Sequence, residues 1–138
     1  MRIREEAVCV AIVVRMERRG YKTHREFPIL GKVADVYAVH PRTGVTVSVE
    51  CKERDWGRGV LQARVYQGAS DYVYMALPRK QPSARVLQTL EERGIGLILV
   101  DEQGRTRQVL DARRASHFTP VLHQRAKQNF EAMKCALP

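Results

Sequence analysis

Long apolar runs, cysteine pairs and acidic charge are what this chain has little of. The apolar stretch Ala7 to Val14 spans only eight residues, between Glu5 and Glu6 on one side and Arg15, Arg18 and Arg19 on the other. A bilayer-spanning helix needs about 20 apolar residues, and no small-residue cleavage site follows. The stretch is therefore expected to be a buried helix of a soluble, intracellular protein. Cysteines number three, Cys9, Cys51 and Cys135, widely spaced and without a CxxC pair or a nearby histidine pair. That usage excludes a disulfide framework and a patterned zinc site, and suits reduced thiols in the cytoplasm. His24, His40, His117 and His123 form no HExxH-type ligand pattern. Gly31-Lys32 lacks the spacing of a phosphate loop, and Gly94-Ile95-Gly96 lacks the third glycine of a dinucleotide fingerprint. No internal repeat or low-complexity segment is present.

Basic charge is plentiful. Lys and Arg total 24 against 15 Asp and Glu, a formal net charge of +9. Such an excess suits a polyanionic partner, with DNA the first candidate and RNA not excluded. At 138 residues and 44% hydrophobic content the chain is long and apolar enough for one folded domain with one core.

Patterning predicts a helix over residues 2–19, ended by Gly20 and carrying basic residues in its last turn. Strands are expected at Tyr21 to Ile29, Val33 to His40 and Val45 to Cys51. Pro41-Arg42-Thr43-Gly44 turns between the second and third. A helix from Gly57 or Arg58 to Gly68 and a strand from Asp71 to Leu77 come next. Ser83 caps a helix through Arg93; Ile95 to Val100 and Thr106 to Leu110 read as strands, and Thr119-Pro120 opens a last helix. The last helix carries an apolar stripe of Leu122, Ala126, Phe130, Met133 and Leu137, suited to packing on its own sheet or to a homodimer contact. The order α-β-β-β-α-β followed by α-β-β-α argues for an α/β fold, a mixed sheet flanked by helices.

Chemistry concentrates in one constellation. Asp35 lies on the second strand, and Glu50-Cys51-Lys52 closes the third, across a hairpin. Glu50 and Lys52, two apart on a strand, point to the same face, while the Cys51 side chain points to the other. Two carboxylates and an ammonium at one point suit a hard divalent cation and a positioned water. Downstream, Gln62-Ala63-Arg64-Val65-Tyr66 places Gln and Tyr one turn apart on the following helix. Lys32, Arg54, Arg58, Arg64, Arg79 and Lys80 surround the site as phosphate-binding candidates, and Trp56 is placed to stack on a base or to anchor its loop.

These residues resemble the PD-(D/E)XK nuclease superfamily, over roughly residues 2–77. The QxxxY on the second helix is similar to the RecB-like branch, whereas Ala34 stands where the family's proline would precede the first acid. The resemblance implies a restriction-endonuclease-like core and a nuclease dependent on Mg²⁺ or Mn²⁺, acting in DNA repair, recombination or defence. Asp35, Glu50 and the Cys51 backbone carbonyl would hold the metal, and Lys52 would handle the attacking water. Gln62 and Tyr66 would complete the site. The family's helix-one glutamate is assigned to Glu6, with Glu5 in reserve, because Glu6 shares a helical face with Ile3, Val10 and Val13. A homodimeric Holliday-junction resolvase, a partner-bound nuclease and a non-catalytic nucleic-acid-binding module are the alternatives.

Overall fold

The computed structural model describes residues 3–136, with side chains through residue 134. Leu137 and the Cys135 side chain, both named above, lie outside that description. Elements follow the expected order: α1 (Glu5–Arg18), β1 (Lys22–Ile29), β2 (Lys32–Val39), β3 (Thr46–Cys51), α2 (Trp56–Tyr66), β4 (Tyr72–Leu77), α3 (Ala84–Arg93), β5 (Gly96–Val100), β6 (Thr106–Leu110) and α4 (Pro120–Ala136). The first helix begins later than expected, with Arg4 in extended conformation as its N-cap.

Six strands form one open sheet in the order β1-β2-β3-β4-β5-β6. The first three pair antiparallel, β3, β4 and β5 pair parallel, and β6 returns antiparallel. The α/β fold is thus a six-stranded mixed sheet flanked by four helices. Helices α2 and α3 connect the parallel strands, as crossovers of that kind require. They lie with α4 on one face, around Phe27, Tyr37, Tyr66, Leu90 and Phe130. Helix α1 covers the other, packing Val8, Ile12 and Met16 onto Val36, Ala38, Val49 and Ile98. The central strands β3 and β5 are buried along their whole length, consistent with helices on both faces.

Local chemistry explains the turns. Leu30 and Gly31 both have positive φ (50° and 78°), matching the two-residue hairpin turn that suits strand twist. Ser83 caps α3 by accepting from the Val86 N–H, and Gly94 ends it in the left-handed region. Asp71, buried at the start of β4, accepts hydrogen bonds from Thr46 N (2.8 Å), Thr46 Oγ1 (3.2 Å), His123 Nε2 (2.9 Å) and the Arg114 guanidinium. Burial opposes its ionisation, but Thr46, Arg114 and His123 outweigh burial and hold its carboxyl below the usual range. This carboxylate ties α4 to the sheet at the end opposite Lys52. No helix among the described residues is long and apolar enough to cross a membrane.

Gly96 tests the β4–β5 packing. A Cβ there would stand 2.3 Å and 2.4 Å from ring carbons of Tyr74 and 2.8 Å from the Leu110 carbonyl oxygen. Gly96→Ala is expected to destabilise the fold by about 1–3 kcal/mol through overpacking. It should lower the urea midpoint without altering the slope; an unchanged midpoint would contradict the packing of Tyr74 on β5.

Candidate functional site

The site forms where β2 and β3 part. Their ladder pairs Val36 with Val49 and ends there, leaving Asp35 and Glu50 beyond regular pairing. On the other side, β1 pairs Arg25 with Val36 and Phe27 with Ala34, and Glu26, opposite Asp35, sits at φ 53°. A non-glycine residue held in that region is strained, a condition that clusters at functional sites. Asp35, released from the ladder, accepts the Cys51 backbone N–H on Oδ2 at 2.7 Å.

Glu50 points toward α2 and is 2% exposed. Tyr66, one of the largest buried side chains, places its hydroxyl 2.8 Å from the Val33 carbonyl and 3.1 Å from Glu50 Oε1. The hydroxyl has one proton to give to these two acceptors, and its bond to Glu50 favours the ionised carboxylate. Lys52 sits just past β3, its N–H bonded to the Ala76 carbonyl and its Nζ 3.6 Å from Glu50 Oε2. The lysine stem runs over α2 at Gly59. A Cβ there would be 2.9 Å from Lys52 Cγ and 2.9 Å from Met75 Cε.

Charge in this cluster is unbalanced. Burial, then the nearby Asp35 carboxylate, pushes Glu50 up to about 8, against the opposing pull of Tyr66 and Lys52. Asp35 is also raised, chiefly by burial and in part by Glu5, although the Cys51 N–H, Lys52 and Arg25 pull the other way. Two neighbouring acids with raised pKa are a functional-site signature. Gln62 adds a second sign: its Oε1 is buried and has no hydrogen-bond donor among the described residues. The two carboxylates are hard donors, which fit Mg²⁺ or Mn²⁺. Such a cation would relieve the repulsion between Asp35 and Glu50.

Asp35, Glu50, Lys52 and Tyr66 therefore share one neighbourhood, as does the Cys51 backbone, which supplies its N–H to Asp35, while Gln62 lies one turn before Tyr66 on α2. Glu6 does not share it. Its carboxylate forms a bidentate pair with Arg25 at 2.6 and 2.8 Å, on the exposed side of α1. The residue acting on Asp35 is Glu5. The reason is rotational: α1 buries Val8, Cys9, Ile12 and Met16, and Glu5 continues the Cys9–Ile12–Met16 stripe, whereas Val10 is 49% exposed. Trp56 is half-buried and packs against the apolar core, which anchors the loop. Lys32, Arg54, Arg58 and Arg64 are exposed; Arg64 hydrogen bonds Gln67 at 3.2 Å. Arg79 and Lys80 follow β4 and line an open cleft of about 580 Å³ with Arg105 and Arg107 of the β5–β6 hairpin. Those two arginines carry no motif, and only the sheet order brings them there. Arg25 and Cys9 also escaped pattern reading, because each reaches Asp35 from another element.

No protein-family model matches the chain, and no curated protein matches it. A solved structure does: a protein of unknown function from Silicibacter pomeroyi, with a TM-score of 0.71 at 20% identity, covering 98% of this chain and 89% of that one. At that identity the likeness shows the shared α/β fold.

The raised Glu50 sets a pH dependence of known sign. Between its ordinary 4.5 and about 8, folded Glu50 holds a proton that the unfolded chain has lost, so its contribution to stability falls as pH rises. A cation that binds the carboxylate gains affinity across the same window. Thermal stabilisation by Mn²⁺ is expected to be larger just above pH 8 than just above pH 4.5, and Glu50→Gln should flatten the profile. Tyr66→Phe removes a bond that favours the ionised form and should move the profile upward. Equal stabilisation by Mn²⁺ at both ends would count against cation binding at Glu50.

Proposed function

We propose that the chain is a metal-dependent nuclease of the PD-(D/E)XK type, its mixed sheet serving as a restriction-endonuclease-like core. The observation that carries this reading is the convergence of Asp35, Glu50, Lys52 and Tyr66 at the point where β2 and β3 separate. Asp35, Glu50 and the Cys51 carbonyl would hold Mg²⁺ or Mn²⁺, with Glu5 rather than Glu6 as the contribution of α1. The bound cation supplies Lewis-acid charge beside the scissile phosphate.

The protein's own groups do the rest. Lys52, with its Nζ on Glu50 and its stem seated over Gly59, orients the attacking water and offsets charge developing on the phosphate oxygens. Tyr66 fixes the Glu50 carboxyl and can hand back its proton contact when Glu50 ionises. Gln62, one turn before Tyr66 on α2, carries a buried amide oxygen with no donor among the described residues. Glu50 is buried, while Asp35 is partly exposed and open to an incoming cation or water. Arg79, Lys80 and Arg107, along a cleft where Arg105 is paired with Asp101, suit a phosphate backbone and carry no base specificity. DNA is the proposed substrate, and the net charge of +9 supports a polyanion.

Incubation with single-stranded, duplex, flap and four-way-junction DNA in Mg²⁺, Mn²⁺ or EDTA tests the reading. Metal-dependent cleavage is expected, and Asp35→Asn, Glu50→Gln and Lys52→Ala should each reduce it by about 10²-fold or more. Cleavage that is absent with both metals, or untouched by these substitutions, overturns the proposal. Metal-independent binding without cutting would identify a binding module. Symmetric paired cuts confined to junctions would identify a resolvase.

A further inference from the structure

Behind the acid pair, on the α1 face of the sheet, lie two thiols that the chemistry above does not use. Cys9 is 3% exposed and Cys51 0%, and both are free. Their sulfurs and a carboxylate oxygen of Asp35 all lie within 4.8 Å of one another. Three elements supply them: α1 brings Cys9, β3 brings Cys51 and β2 brings Asp35. None of the spacings resembles a zinc motif, so the cluster exists only in the fold.

The distances suit a metal that prefers sulfur. Zinc–sulfur bonds of about 2.3 Å and zinc–oxygen bonds of about 2.0–2.2 Å place tetrahedral ligand atoms roughly 3.5–3.8 Å apart. The three atoms need close by only about 1 Å to reach that spacing. Asp35 is already held in place by the Cys51 N–H. Two thiolates and a carboxylate exceed a divalent cation by one negative charge, and Arg25, which also pairs with Glu6, stands beside them. Its guanidinium contacts the Cys9 sulfur, and its buried Nε–H has no acceptor among the described residues. A metal-bound Cys9 thiolate would be that acceptor, the kind of outer partner that metal ligands usually have.

We propose that Cys9, Cys51 and Asp35 form a binding site for a thiophilic divalent cation of the Zn²⁺ type, with water completing the coordination and Arg25 as the outer hydrogen-bond donor to Cys9. The site lies on the opposite side of Asp35 from Glu50. A thiophilic and a hard cation therefore compete for one carboxylate, so Zn²⁺ or Cd²⁺ antagonises Mn²⁺. That antagonism rests on the nuclease reading; the thiolate site does not.

Cadmium reports the site directly through thiolate-to-metal charge-transfer absorption. Titrating the reduced full-length chain with Cd²⁺ should develop the band to saturation at one equivalent. Cys135→Ser should give the same band, and in that chain only Cys9 and Cys51 remain as thiols, so the assignment needs no change in the core. Cys9→Ala and Cys51→Ala should each reduce the band by half or more, Asp35→Asn should weaken Cd²⁺ binding at least about tenfold, and Glu50→Gln should leave it intact. A missing band in the parent chain, a band lost in Cys135→Ser, or a full band in folded Cys9→Ala overturns the proposal. A chain that shows the band yet cuts no DNA keeps this site and loses the nuclease reading; the converse result does the opposite.

Discussion

Where β2 leaves β3, the Cys51 N–H has no strand carbonyl to meet, and the Asp35 carboxylate takes it instead at 2.7 Å. The bond satisfies a buried backbone donor that would otherwise be costly. It also fixes an acid against the end of a central strand. Glu50 on one face and the Cys51 sulfur on the other are then within its reach, and Lys52 follows one residue on. The positions of Tyr66 and Gln62 matter chemically because this carboxylate is already in place.

Two buried acids in the same protein show how differently a fold can treat a carboxylate. Asp71 is surrounded by Thr46, Arg114 and His123, and its ionised form is favoured. It holds α4 on the sheet and has nothing left to offer a ligand. Glu50 is as deeply buried but meets another acid, a shared tyrosine proton and a lysine at 3.6 Å, and its neutral form is favoured. Burial alone does not separate the two. The count of compensating donors does, and only the under-compensated acid has a reason to take up a cation.

Much of the architecture was legible in the residues. Turn chemistry at Pro41–Gly44, the Ser83 cap and the apolar runs of β3 and β5 each act locally, so element order could be read directly. Asp35, Glu50, Lys52 and the QxxxY were legible because hairpin pairing and helical periodicity decide which side chains face each other over short separations. Glu5 and Glu6 were harder to tell apart. One residue on a helix is a rotation of about 100°, and Val10, grouped with Ile3 and Val13, made the face of Glu6 look apolar although Val10 is exposed. Arg25, Arg105, Arg107 and Cys9 could not be read at all, since each gains its meaning from strand order or from how α1 is rotated on the sheet.

Gly59 places a limit on engineering this protein. A helix-interior glycine normally invites replacement by alanine, which would favour helix formation by roughly 0.5–1 kcal/mol. Here the missing methyl group is the bed on which the Lys52 stem lies. A search for thermal robustness that scores helix propensity alone would choose this position early. It would trade a better helix for a displaced ammonium, so robustness and chemistry pull against each other at a single hydrogen atom.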